Sequence, residues 1–541
     1  MAEQYDAIIV GAGIAGMYQL LKLREAGFAV KVYETGGDVG GTWYWNRYPG
    51  CRFDSESYSY GYSFSEELLQ EWDWVEHFSP QPDNLRYLHL VADKFDLRRD
   101  IQFNSRVAAA TYDQDRQQWQ VELEDGSRAR ARFLISATGP LSAYQMPNIE
   151  GLDSFKGPSW HTARWPQDPN GYGGSKEVSF EGKRVAVIGT GASGVQVIQE
   201  VAKTAGHLYV FQRRPNWCAP LHNSLITEDE QKQIKASYPD IFNTCSQTFG
   251  NFLHSPDPRL AVETPPEERE AFFEKLYGER GFGIALANFR DIMIDPKANA
   301  IISEFIAGKI RQRVNDPAIA EKLIPKNHGF GTRRVPLETH YYEVYNQDNV
   351  TLVDVMETPI ERVTETGIKT SDADYELDMI IYATGFDPVT GALERIDIRG
   401  VGGRRLNDAW ADGPRTYLGI QAPGFPNFFT LVGPHNGASL CNIPRCIEQN
   451  VDWVTDLLTY MRERNLRSIE PTQQAVEVWT QHCDEAAART LFPTADSWFM
   501  GVNRNNPDRK RTFMLYAGGV PKYNAKCAEV AANGYQGFVL R

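Results

Sequence analysis

The chain has 541 residues, 42% hydrophobic and 23% charged, with a formal net charge of −14. At about 150 residues per domain this is room for two to four soluble globular domains. The acidic balance opposes a nucleic-acid surface, which needs a basic stripe. It also opposes an anionic membrane surface, and the absence of any run of about 18 uncharged apolar residues predicts no membrane span.

The start, Met1 to Asp6, is polar and acidic and lacks the basic-then-apolar order of a secretion signal, so a cytoplasmic protein is expected. Residues Ala7–Val10 form a short apolar run that leads into Gly11-Ala12-Gly13-Ile14-Ala15-Gly16. From Ile14 to Glu25 the apolar residues fall at helical spacing, and Val30–Tyr33 reads as a second strand. Three glycines at this spacing occur by chance about 0.3 times in a chain holding 45 glycines. The strand before and the helix after carry the assignment. Gly11 makes the tight turn, Gly13 admits a pyrophosphate to the backbone, and Gly16 lets helix and strand pack closely. Glu34, 18 residues beyond Gly16, ends the second strand, where a carboxylate accepts hydrogen bonds from ribose hydroxyls.

An aromatic segment follows, Gly40-Gly41-Thr42-Trp43-Tyr44-Trp45-Asn46-Arg47-Tyr48-Pro49-Gly50, closing on Cys51-Arg52-Phe53-Asp54. Ala108–Tyr112, Trp119–Leu123 and Ala129–Ile135 alternate as short antiparallel strands, with Asp125-Gly126 suited to a hairpin turn. The last of them runs into Ala137-Thr138-Gly139, and the Pro/Gly-rich stretch 140–155 suits a domain crossover. Phe155-Lys156-Gly157-Pro158-Ser159-Trp160-His161-Thr162-Ala163-Arg164-Trp165-Pro166 then precedes a second strand–turn–helix–strand unit.

In that unit Val185–Ile188 leads into Gly189-Thr190-Gly191-Ala192-Ser193-Gly194, a helix from Val195, and the strand Leu208–Phe211. No acid ends this second strand. Arg213 and Arg214 stand there instead, and a guanidinium binds a 2′-phosphate that a carboxylate would repel. The second site is therefore expected to take NADPH and the acid-tipped first site FAD, a pairing in which NADPH reduces the flavin.

Residues 221–330 alternate charged and apolar positions at helical spacing, as in Pro266–Tyr277, Ala298–Val314 and Ile319–Leu323. Short strands return from 349 to 385 and end in a second Ala383-Thr384-Gly385. The last ~150 residues, with helices expected near 444–464 and 473–490, complete the first domain. Of seven cysteines, Cys441 and Cys446 have the spacing of a redox pair but lie far from the first nucleotide unit, so buried thiols are the reading preferred.

The segment from Phe155 to Pro166 strongly resembles the fingerprint of the type I Baeyer–Villiger monooxygenases, Phe-x-Gly-x-x-x-His-x-x-x-Trp-Pro, met by Phe155, Gly157, His161, Trp165 and Pro166. Gln167 stands where that family usually has Asp or Gly. The Gly-Gly-x-Trp and Tyr-Pro-Gly-x-x-x-Asp signature is met in full by Gly40 to Asp54. The resemblance covers the whole chain and is nearest the cyclohexanone and phenylacetone monooxygenase branch.

It implies an α/β fold of two Rossmann-like dinucleotide-binding domains, for FAD and NADPH, with a helical insertion in the second. The expected extents are 1–143 and 382–541 for the FAD domain, 144–220 and 331–381 for the NADPH domain, and 221–330 for the insertion. It implies conversion of a cyclic or bulky ketone and O₂ to an ester or lactone through a C4a-peroxyflavin. Arg334 matches the catalytic arginine, Asp54 the carboxylate that holds it, and Arg333 a basic residue for the 2′-phosphate. Thr384, Gly385, Gly41, Thr42 and Trp43 join the cofactor sites, and Trp498 matches a mobile-loop aromatic near the nicotinamide nucleotide. The loop beyond Trp498, Gly501 to Pro507 with Arg504, departs from the family's usual Gly-Ala-Asn-Val-Pro-Gly-Lys. His161 is implied to influence domain motion rather than donate a proton, and His435 and Asn436 are candidates for the substrate pocket. A monomer or homodimer without metal is expected. On the residues alone an N- or S-oxygenase and a non-oxygenating flavin reductase stay open, with Trp165-Pro166 and Arg334 favouring ketone oxygenation.

Overall fold

The computed structural model describes residues 3–168, 177–503, 505–507 and 509–541. Arg504, in the loop singled out above, lies outside the described residues. Two mixed or parallel sheets organise the chain. The first runs, edge to edge, Asp397–Arg399, Val107–Asp113, Gln118–Leu123, Arg128–Ser136, Glu3–Val10, Val30–Tyr33 and Ile101–Gln102. The strand Phe428–Thr430 pairs in parallel with the far half of Arg128–Ser136, at Leu134 to Ser136. The second sheet is wholly parallel: Val350–Asp354, His207–Gln212, Arg184–Ile188, Met379–Tyr382 and Ser159–His161.

The expected antiparallel strands form a meander on the first sheet, with Gly126 at φ 83° in its hairpin. A positive φ in a tight turn is why glycine follows Asp125. The helix Ile14–Glu25 is buried nearly all round, because it lies between the first sheet and the helix Ile443–Glu463. The latter buries Ile447, Val451, Val454, Leu457, Leu458 and Met461 along one face, the i, i+3, i+4 pattern of a helix packed on a core. Between the second and fourth strands of the second sheet lie five helices, Glu228–Gln247, Pro266–Gly278, Gly283–Leu286, Pro296–Arg313 and Pro317–Leu323. The first of these, with a Thr227/Glu230 capping box, was not singled out by periodicity, since only Ile234, Tyr238 and Cys245 are buried along its 20 residues.

The chain passes between the sheets twice, after Ser136 and after Tyr382. The two crossovers pair with one another: Gln145 N–H donates to Gly385 O, Asp387 N–H to Ala143 O and Val389 N–H to Pro140 O. They thus form a short ribbon rather than two loose linkers. All seven cysteines are free thiols. No helix among the described residues is long and apolar enough to cross a membrane.

Candidate active site

The two glycine turns are built by one device. Gly11 N–H donates to Tyr33 O and Gly189 N–H to Phe211 O, at 2.8 and 3.0 Å, so each turn hangs on the tip of the neighbouring strand. Gly11 and Gly189 both have φ +107°. A Cβ on Gly11 would sit 2.6 Å from Ala137 O, and one on Gly189 2.5 Å from Ala383 O. Ala137 and Ala383 begin the two Ala-Thr-Gly sequences, and each N–H bonds back to its sheet at Val10 O and Ile188 O. The sequence echo is therefore a repeated packing contact, in which the carbonyl after a central strand closes on the first glycine. Gly16 and Gly194 face Gly11 O and Gly189 O too closely for any side chain.

The middle glycines differ. Gly13 is covered by Gly41, whose Cα would be 3.3 Å from an added Cβ, and Gly40 N–H donates to Ala12 O. Gly41 itself sits at φ +52°. Gly191, the N-cap of Ala192–Val201, has nothing within 4 Å. Open backbone at a helix N-terminus is where a pyrophosphate approaches. Glu34 is buried and already accepts hydrogen bonds from Ala12 N–H at 2.7 Å and Gly36 N–H at 2.6 Å. Burial raises its pKa against those two bonds, and each carboxylate oxygen retains a lone pair for a ribose hydroxyl. The open N-terminus at Gly191 fits the pyrophosphate of a dinucleotide, and the Glu34 carboxylate fits its ribose in the first cradle.

Around the second turn, Thr190 Oγ1 donates to Arg214 O, and Ser193 lies beside the Tyr48 hydroxyl. Arg213 is exposed beyond the strand tip. His328, which neither periodicity nor motif picked out, is held neutral at about 3 by burial and by the charges of Arg333 and Arg214. His328 thus lies within reach of both Arg333, from a distant segment, and the strand-end Arg214. Thr384 Oγ1 donates to Gln145 O across the two crossovers, and Gly385 turns at φ +82°.

Arg334 Nη2 donates to Asp54 Oδ2 at 3.1 Å. Asp54 is buried, and desolvation pushes its pKa up to about 6 against the pull of Arg334, Arg52 and Leu337 N–H. The Arg334 side chain keeps 42% of its surface accessible, and desolvation lowers its pKa against the pull of Asp54. Phe282 lies against its other face, with the guanidinium carbon 4.2 Å from the ring centroid. Phe282 comes from the helical region and belongs to no motif, so its role at the arginine was not legible.

The fingerprint segment forms the junction between the sheets. His161 ends a strand paired with Tyr382, is 2% exposed, and accepts Ala163 N–H on Nδ1. Its ring packs on Tyr144 of the first crossover and Phe386 of the second, at 5.0 and 6.0 Å. Burial and Arg164 hold its pKa down at about 4, so it is neutral at physiological pH. A Cβ on Gly157 would meet the Phe155 ring at 2.6 Å and Asp378 O at 2.9 Å, which explains the Phe-x-Gly pair. Trp165 is buried between Trp160 and Phe180, and Pro166 keeps it extended. Arg164, absent from the fingerprint, stacks its guanidinium on Trp45 at 4.1 Å and Tyr144 at 4.3 Å. It thereby ties this junction to the aromatic segment, in which Trp43 is buried and Thr42 exposed.

Two expectations are changed. His435 and Asn436 are not on a pocket surface: they are 2% and 0% exposed. His435 Nε2 bonds Phe513 O, and Asn436 caps the turn at Ala438 and donates to Tyr523 Oη, so both side chains are tied into the surrounding packing. Trp498 is half-buried edge-on against Phe499, in a small cluster with Val389 and Phe513.

The profile of the flavin-binding monooxygenase-like family matches residues 5–224. The 2-oxo-Δ³-4,5,5-trimethylcyclopentenylacetyl-CoA monooxygenase of Pseudomonas putida is 51% identical over 537 residues, covering 99% of this chain and 98% of that one. The chain belongs to the Baeyer–Villiger monooxygenases. The cyclohexanone 1,2-monooxygenase of an Acinetobacter species is 42% identical over 99% of this chain and 97% of its own. A crystal structure of OTEMO in complex with FAD and NADP superposes with a TM-score of 0.96 at 50% identity, with both chains fully covered.

Proposed function

We propose that this Baeyer–Villiger monooxygenase uses FAD, NADPH and O₂ to convert a cyclic or bulky ketone to a lactone or ester, with NADP⁺ and water as the other products. The observation that carries the reading is the Arg334–Asp54 pair, an accessible cation held by a buried carboxylate. Bound FAD, reduced by NADPH, would activate O₂ and supply the inserted oxygen. The protein's own part is electrostatic and geometric. Arg334 favours the deprotonated form of an oxygen nucleophile brought beside it and stabilises negative charge developing on a ketone oxygen. Asp54 holds its position and moderates its charge. An electrophilic N- or S-oxygenation needs no such cation.

The FAD cradle is assigned to Gly11, Gly13, Gly16, Glu34, Gly41, Thr42 and Trp43. The NADPH cradle is assigned to Gly189, Thr190, Gly191, Ser193 and Gly194, with Arg213, Arg214 and Arg333 for the 2′-phosphate. Thr384 and Gly385 close the crossover beside it, and Trp498 covers the nucleotide from its loop. Phe155, Gly157, His161, Trp165 and Pro166 set the angle between the sheets. The sheet memberships support an FAD domain of 1–143 and 382–541, an NADPH domain of 144–220 and 331–381, and a helical insertion at 221–330, with the boundary after 381 shifted by one because Tyr382 still pairs in the second sheet. A cytoplasmic location completes the reading. A panel of ketones graded from acetone through cyclopentanone and cyclohexanone to a cyclopentenylacetyl thioester tests it: lactone or ester from at least one is expected. Turnover of amines or sulfides with every ketone untouched would overturn it.

A further inference from the structure

Arg334 and Arg333 sit on an irregular strap, residues 329–338, and the helix Pro296–Arg313 grips that strap at both ends. At the front, Asn299 Nδ2 donates to Phe330 O at 2.8 Å, and Ser303 Oγ accepts Phe330 N–H at 2.9 Å. Gly329 lies so close to the Asn299 amide that no side chain fits there. At the rear, Arg313 meets Glu338, four residues after Arg334. Its Nη1 donates to Glu338 Oε1 at 2.6 Å and to Tyr277 Oη at 3.1 Å. Its Nη2 donates to Glu338 Oε2 at 3.0 Å and Glu343 Oε2 at 2.7 Å, and its Nε to Glu343 Oε1 at 2.6 Å. All five guanidinium donors are thus engaged. The Glu338 side chain is 0% exposed and also accepts Tyr341 N–H. Between the grips, Asn216 holds Arg334 O, and Leu337 and Glu338 pair with Ala219 and Pro220.

A buried ion pair costs desolvation that apolar packing would avoid, so it is weak evidence for stability. A saturated two-carboxylate fork instead fixes direction. We propose that Arg313 and Glu338 are positioning residues for the reaction: with Asn299 they splint the strap, so that Arg334 stays on Asp54 and Arg333 stays on the side of His328 and Arg214, where the 2′-phosphate is proposed to bind. This rests on the proposed reading of Arg334 and Arg333.

The test uses the FAD-loaded enzyme with Glu338→Gln, which keeps the shape and removes the charge, and Arg313→Lys, which keeps the charge and removes the fork. Three quantities are read: anaerobic flavin reduction at saturating NADPH, lactone formed per NADPH consumed in air, and calorimetric affinity for NADP⁺ against NAD⁺. Both variants are expected to reduce flavin within threefold of the parent, to lose at least half of the lactone yield to hydrogen peroxide, and to narrow the NADP⁺/NAD⁺ preference about tenfold. Glu338→Asp, which retains the ion pair, should restore part of both losses. Unchanged yield and unchanged nucleotide preference, with only a lower melting temperature, would make the cluster structural and overturn the proposal. Should Glu338→Gln not fold, Arg313→Lys and Glu338→Asp decide by the same readings. A parent that makes no lactone refutes the ketone reading instead, and the nucleotide preference still tests the splint.

Discussion

At the residue scale the site is a matter of which charges are held and which are reachable. Arg334→Ala should leave anaerobic flavin reduction by NADPH intact and cut ketone oxygenation about 100-fold or more, the scale of losing one preorganised cationic donor. Normal lactone formation by that variant would remove Arg334 from the chemistry. Arg213→Ala should raise KM for NADPH about tenfold or more and leave NADH unchanged, because one charge-assisted contact to the 2′-phosphate is lost. Asp54 gives a pH dependence with a defined sign. Its folded pKa is raised to about 6, above the ordinary value near 3.9, so the fold disfavours its ionised form. Its contribution to stability is full below pH ~4 and is lost as pH rises through 6, by up to about 3 kcal/mol. Measured as Asp54→Asn minus parent in unfolding free energy, the difference should climb between pH 4 and 6 and then level. In the same window the parent's lactone yield per NADPH should rise with pH as Asp54 ionises and clasps Arg334, while Asp54→Asn shows no such rise.

At the scale of elements, the two glycine turns separate packing from binding. Gly194→Ala forces a Cβ onto Gly189 O and should cost about 1–3 kcal/mol of stability. Gly191→Ala meets nothing within 4 Å, so its melting temperature should match the parent's while NADP⁺ binding weakens. Equal behaviour of the two variants would remove the distinction between them. These turns were legible in the sequence because every part is local: strand, glycines, helix and the residue at the next strand tip lie within about 30 positions. The fingerprint was legible as a pattern, but its reason was not. Arg164 on Trp45, Phe282 on Arg334 and Arg313 on Glu338 join segments separated by between 25 and some 120 residues, and no periodicity marks them. The burial of His435 and Asn436 was hidden for the same cause: nearness in the chain to a Gly-Pro turn does not tell an exposed side chain from one bonded to Phe513 O or Tyr523 Oη.

At the scale of the molecule, two sheets are joined by a ribbon of two crossovers, with His161 packed on both strands of it and Arg164 reaching from it to the aromatic segment. A neutral, buried histidine transmits geometry rather than protons. His161→Gln and Arg164→Ala should therefore disturb the angle between the sheets, lowering lactone yield per NADPH without moving the pH profile set by Asp54. On the proposed reading, the two cradles and Arg334 act as one device, in which reducing power would enter at the arginine-tipped site and oxygen would be delivered beside Arg334. The most direct test of that claim is to mix the FAD-loaded protein with NADPH and cyclohexanone in air and weigh lactone formed against NADPH consumed. The account predicts close to one lactone per NADPH. NADPH consumed with hydrogen peroxide as the only product, across cyclic and linear ketones alike, would contradict it.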